Sequence, residues 1–189
     1  MRRTICLLVL SLALSVVASA QGEGQSKKGV YAGEERREIK SLSAEEVEAL
    51  LNGQGMGLAK AAELNHYPGP RHVLELTNEL GLTEEQRKET QAVFERMRGA
   101  AVALGRRIVE RERALDADFA KGDIDAARLG AATAEIARLQ GELRAAHLTA
   151  HLEMRRLLSP QQIAKYDALR GYASGQKSGG QHEHGHGKH

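Results

Sequence analysis

His147 and His151 stand four residues apart, and Met154 follows three residues later. On an α-helix that spacing sets all three side chains on one side. Two imidazoles so placed can hold one transition-metal ion, and a thioether adds a soft donor suited to copper or a weak axial ligand for nickel or cobalt. A tetrahedral site wants four donors, so more must come from elsewhere in the chain. Glu63, His66 and His72 flank the Tyr67-Pro68-Gly69-Pro70 turn and are the candidates, with Met56 as a further thioether. Each also has a structural reading. His147 neighbours the seam position Leu143 and reads equally as a histidine at the core edge, His151 as a hydrogen-bonded or solvated one. Glu63 reads as a helix-end carboxylate, His66 as a loop residue and His72 as a first-turn polar residue.

A second concentration of imidazoles, His182, His184, His186 and His189, follows a Gly/Ser-rich linker at 171–180. Interleaved Gly, Glu and Lys distinguish this tail from an expression tag. Such a tract does not pack, yet it binds zinc, copper or nickel with little selectivity because no rigid geometry is imposed. Other chemistry is hard to find. There is no Gly-rich phosphate loop after a strand, no H-E-x-x-H and no serine in a strained turn. Glu84/Glu85 and Asp116/Asp118 are too close in sequence to face one another on a helix and read as solubilising charge. Neither an enzyme nor an organic cofactor is expected.

The elements that must position these side chains are helices. Residues 21–42 read as a flexible leader, rich in Gly, Gln and Lys at its start. Ser43 opens a short helix that the Gly-Gln-Gly-Met-Gly run at 53–57 interrupts, and a second short helix is expected over Leu58–Leu64. After the proline turn comes a short amphipathic helix, Arg71 to Leu80, ended by Gly81. Val93, Met97, Ala101, Leu104, Ile108, Leu115 and Phe119 recur at helical intervals and predict a first long helix from Thr83 to Lys121, roughly 55 Å in length. Gly122 suits its C-terminal cap, and Asp123 or Asp125 the next N-cap. Leu129, Ile136, Leu139, Leu143, Ala150 and Met154 mark a second long helix to Leu157, and Ser159 starts a last one with Ile163, Tyr166 and Leu169. Long helices joined by so short a turn must be antiparallel. The fold class is therefore all-α: a long antiparallel hairpin over 83–157 with short flanking helices, within a helical domain at 43–172. Only 3% of residues are aromatic and none is tryptophan, so the core is a thin alanine and leucine seam. Two long helices leave one face poorly covered, and a homodimer is expected.

Leu82-Thr83-Glu84-Glu85-Gln86 and Leu158-Ser159-Pro160-Gln161-Gln162 bracket this hairpin. In each box a hydroxyl caps a backbone N–H and the glutamine three residues later reaches back. The paired L-T/S-x-x-Q signature resembles the Spy/CpxP family of periplasmic stress proteins, which includes ZraP-like zinc-binding and CnrX-like nickel/cobalt-sensing members. The likeness covers about residues 70–172, and Ser159 departs from the family's threonine. It implies a curved, cradle-shaped dimer. It also places Met154 at the family's methionine, four residues before Leu158, whereas the family's histidine position is Ala150 here, so His147 or His151 must serve instead. Under the resemblance, the cluster Arg106, Arg107, Arg111 and Arg113 reads as a surface for unfolded clients; by itself it is an exposed face laced with Glu110 and Glu112.

Arg2 and Arg3, the apolar run Ile5 to Val17 and Ala18-Ser19-Ala20 describe a cleaved signal peptide over residues 1–20. The run is shorter than the roughly 20 residues that span a bilayer, so a periplasmic location without membrane insertion is expected. Cys6 lies in this signal, leaving the mature chain no disulfide. Removing Arg2 and Arg3 from 27 basic residues balances the 25 acidic ones, which argues against a nucleic-acid partner. Two functions remain: a periplasmic metal-binding protein of the heavy-metal resistance or sensor type, holding Cu, Zn, Ni or Co and signalling to a membrane-bound regulator, or an ATP-independent holdase for unfolded clients.

Overall fold

The computed structural model describes residues 28–172. The chain divides into two compact units, Met1–Gly33 and Glu34–His189. In the first, the described residues form a turn in which the Ala32 N–H donates to the Gly29 carbonyl at 3.0 Å. The second is helical throughout its described residues, with no strand. A 3-10 turn at Glu34–Arg36 precedes α1 (Ala44–Leu51), α2 (Lys60–Glu63), α3 (Pro70–Glu75), α4 (Thr77–Leu80), α5 (Glu84–Lys121), α6 (Ala126–Leu157) and α7 (Pro160–Leu169).

The long helices begin and end where their capping chemistry dictates. Thr83 Oγ1 accepts the Gln86 N–H at 3.1 Å, and the Gln86 side chain accepts the Thr83 N–H in return. Ser159 and Gln162 repeat the arrangement at 3.2 and 2.9 Å, and Ser43 with Glu46 forms a third such box at α1. Gly122 ends α5 in the left-handed region at φ 69, and Asp125 caps α6. The expected Arg71–Leu80 helix is two pieces, α3 and α4, because Leu76 leaves helical geometry at φ −106 and ψ 21. The expected 58–64 helix is one turn, α2.

Arg96 pairs with Glu153 and Arg107 with Glu135, pairings that converge on the 122–125 turn as antiparallel helices require. The apolar stripes meet in two clusters. Near the capping boxes Val73, Leu80, Val93, Ala150, Met154, Leu158, Ile163 and Tyr166 pack together. Midway along the hairpin Ile39, Leu50, Ala101, Ile108, Val109, Leu139 and Leu143 form the other. The seam does not extend to the turn: Phe119 is 56% and Leu129 38% exposed, because no third element among the described residues covers that end.

The two boxes also touch. The Gln86 and Gln162 amides donate to one another at 3.0 Å, and Gln86 donates as well to the Leu157 carbonyl at 3.1 Å. That carbonyl belongs to the last turn of α6, which has no intrahelical donor for it. The segment before α1 is fastened along α5, with Ser41 donating to Glu112 at 2.8 Å and Lys40 paired with Asp116 at 3.0 Å. The end of α1 then meets α5 at Gly105, where a Cβ would stand 2.1 Å from the Leu50 carbonyl oxygen. Only glycine admits this approach.

Candidate metal centre

Between α5, α6 and the segment 52–72 lies an open cavity of about 800 Å³. α6 contributes His147 and His151 on successive turns of its buried side. The loop after α1 covers His147, whose Cε1 and Nδ1 lie 3.9 and 4.0 Å from where a Gly55 Cβ would be. His147 is only 3% exposed, and its Nε2 is buried without a hydrogen-bond partner. Burial, then repulsion by His151, pulls its pKa below the ordinary imidazole value, so the ring is held neutral with an unused nitrogen.

His151 is oriented by the proline turn. Its Nδ1 lies 2.7 Å from the Tyr67 carbonyl oxygen. A carbonyl only accepts, so Nδ1 carries the proton and donates, leaving the lone pair of the neutral ring on Nε2. Metal-ligating histidines are typically held this way. Gly69 makes room for the ring, since a Cβ there would stand 3.0 Å from His151 Cε1 and 3.3 Å from Nε2. Glu63 Oε2 is 3.6 Å from His151 Nδ1. Glu63 Oε1 accepts hydrogen bonds from the hydroxyls of Tyr166 and Tyr172 and lies 3.8 Å from Arg170 Nε. Burial and the Glu63 carboxylate push the Tyr166 pKa far up, so that hydroxyl remains a donor.

Of the residues singled out from sequence, the cavity collects Met56, Glu63, His72, His147 and His151. His72 is engaged by Glu75 on its own helix at 2.8 Å. His66 is not on the cavity wall; its Nδ1 is 2.7 Å from Asp167 on α7, and its backbone is left-handed at φ 66. Met154 is fully buried in the apolar cluster by the boxes and does not line the cavity. His182, His184, His186 and His189 lie outside the described residues. Among the described residues no three His, Cys, Asp or Glu side chains are grouped so as to hold a metal ion. Sequence reasoning missed Tyr166, Tyr172 and Arg170 as the holders of Glu63, and Gly69 as the residue that admits His151. The Pro-Gly-Pro run was the available signal for the last.

A profile described as heavy-metal resistance matches residues 49–165. The chain belongs to the heavy-metal resistance family. No curated protein and no solved structure matches it. The family kinship expected from the paired boxes is thus borne out. The span that defines this heavy-metal resistance chain runs from α1 into α7 and includes His147, His151, Glu63 and the glycine loop, while Arg170, Tyr172 and the histidine tail lie beyond it. Among the described residues no helix is long and apolar enough to cross a membrane.

Proposed function

We propose that this chain is an exported metal-binding protein of the heavy-metal resistance type, in which His147 and His151 hold a transition-metal ion at the cavity wall. One observation carries the reading: the buried Nε2 of His147 has no partner. An unsatisfied buried nitrogen costs stability unless it serves some end, and a neutral imidazole of a ring that lines a cavity, one turn from a second such ring, is a metal-donor candidate. His151 fits the same role, since the Tyr67 carbonyl fixes its tautomer. Because His147 is held neutral, an incoming ion meets little competition from protons there. Bound ion would link α6 to the segment that carries Glu63 and the glycine loop, shifting the N-terminal arm against the hairpin. Periplasmic placement follows in this reading from the signal-like pattern of residues 1–20.

The test uses the full chain with His182, His184, His186 and His189 replaced by Asn, titrated calorimetrically with Cu(II), Ni(II), Co(II) and Zn(II). Micromolar or tighter binding of at least one ion is expected, abolished by His147→Ala/His151→Ala. Absence of binding, or binding indifferent to that double substitution, refutes the proposal. The exposed Phe119 and Leu129 near the hairpin turn favour a second reading, a holdase offering apolar surface to unfolded chains. Full protection of an aggregating client in chelator, lost in Phe119→Ser/Leu129→Ser, would support it.

A further inference from the structure

We propose that the cavity is a soft-metal site for a monovalent ion, Cu(I), in which the thioethers of Met56 and Met97 complete the donor set begun by His147 and His151. This rests on the reading of the two histidines as metal donors and names the ion class they serve.

The first argument is the composition of the wall. Met56 and Met97 line the cavity together with both histidines. A borderline divalent ion such as Zn(II) is ordinarily enclosed by nitrogen, thiolate and carboxylate donors, and no such group of three exists among the described residues. A set of two imidazoles and two thioethers instead matches the preference of Cu(I) for soft ligands. The sequence pointed to Met154 as the thioether, but that side chain is 0% exposed in the apolar cluster, and freeing it would open a core.

The second argument is charge. Lys60, Arg71, Arg98 and Arg170 line the cavity, with Glu63 as its one carboxylate. One Glu63 oxygen already serves Tyr166 and Tyr172. A wall with surplus positive charge repels a divalent ion about twice as strongly as a monovalent one.

The third argument is the setting of Met56. It occupies the left-handed region at φ 42, between Gly55 and Gly57 and three residues beyond Gly53, itself left-handed at φ 65. A non-glycine residue stays there only when its surroundings hold it, and such residues gather at ligand clamps and switch regions. The residue is 45% exposed, so an apolar thioether is carried on a glycine-flanked loop that lines the same cavity as His147. Met97, partly buried against the apolar cluster, offers the second sulfur from the rigid α5.

The experiment uses the full chain with the four tail histidines replaced by Asn, under anaerobic reducing conditions. Cu(I) and its redox-inert analogue Ag(I) are competed against a chromogenic cuprous chelator, and Zn(II) is titrated separately. Met56→Leu and Met97→Leu are each expected to weaken Cu(I) and Ag(I) by at least about tenfold and leave Zn(II) affinity where it was. X-ray absorption at the copper edge should show sulfur in the first shell, reduced in either variant. Leucine conserves volume, and the exposed Met56 decides the matter even if Met97→Leu fails to fold. Unchanged Cu(I) affinity in Met56→Leu, with a first shell of nitrogen and oxygen only, overturns this inference while the histidine reading stands. Failure of every ion to bind overturns both.

Discussion

Gly105→Ala tests how the arm is docked, and Gly99→Ala on the same helix is its matched control. At Gly99 a Cβ meets nothing within 4 Å, whereas at Gly105 it stands 2.1 Å from the Leu50 carbonyl oxygen and 2.7 Å from its carbon, where ordinary contact begins at 3.4 Å. Because the obstacle is backbone, no rotamer change relieves it, and α1 must retreat by more than about 1 Å or α5 must bend, an overpacking that costs about 1–3 kcal/mol. Replacing an exposed helical glycine such as Gly99 by alanine should instead add about 0.5–1 kcal/mol. Two chemically identical substitutions six residues apart on α5 are therefore expected to have opposite signs. Urea unfolding gives both values. Hydrogen exchange then locates the effect: amides of α1 and of the 53–57 loop should exchange faster in Gly105→Ala, those of α7 unchanged. Equal and favourable shifts for both variants would refute the docking argument.

Two further outcomes follow from the geometry. Gln86→Ala and Gln162→Ala should each destabilise by about 1–2 kcal/mol, and because the amides pair, the double mutant should fall short of additivity by about 1 kcal/mol; urea-measured additivity would remove the pair from the account. In chelator, the apo chain should lose stability as pH falls below about 6.5, the unfolded imidazole value, because the unfolded chain then takes up a proton that the buried His147 refuses. His147→Gln should flatten that slope relative to the parent, and parallel slopes would contradict the burial argument.

Much of this fold was legible because helix ends are local chemistry. Thr83 with Gln86, Ser159 with Gln162, Pro160 at the first helical position and Gly122 at the last announce their roles within a few residues of themselves. What was illegible depends on residues brought from afar. Nothing local says that Gln86 faces Gln162, and Gly105 reads alone as a weak point in a helix although it is a notch for Leu50. Phe119 and Leu129 continue the apolar period but are exposed, since periodicity shows which side a residue faces and not whether anything lies opposite. The site divides likewise. The spacing of His147 and His151 was enough to put both on one helix face, but the period that aligned Met154 with them also drew it into the core. The carbonyl of Tyr67 and the hydroxyl of Tyr166 bear on the site only through the folded turn.

The clasp between Gln86 and Gln162 turns the seventy-odd residues between them into a closed ring. One end of that ring is tied by amides and filled by Tyr166 and Ile163, while the other carries the bare Phe119 and Leu129 beside a four-residue bend. Thermal breathing of the rods should therefore start at the bend and travel towards the knot, so the imidazole pair, sited near the tied end, sits in the last part of the hairpin to come apart.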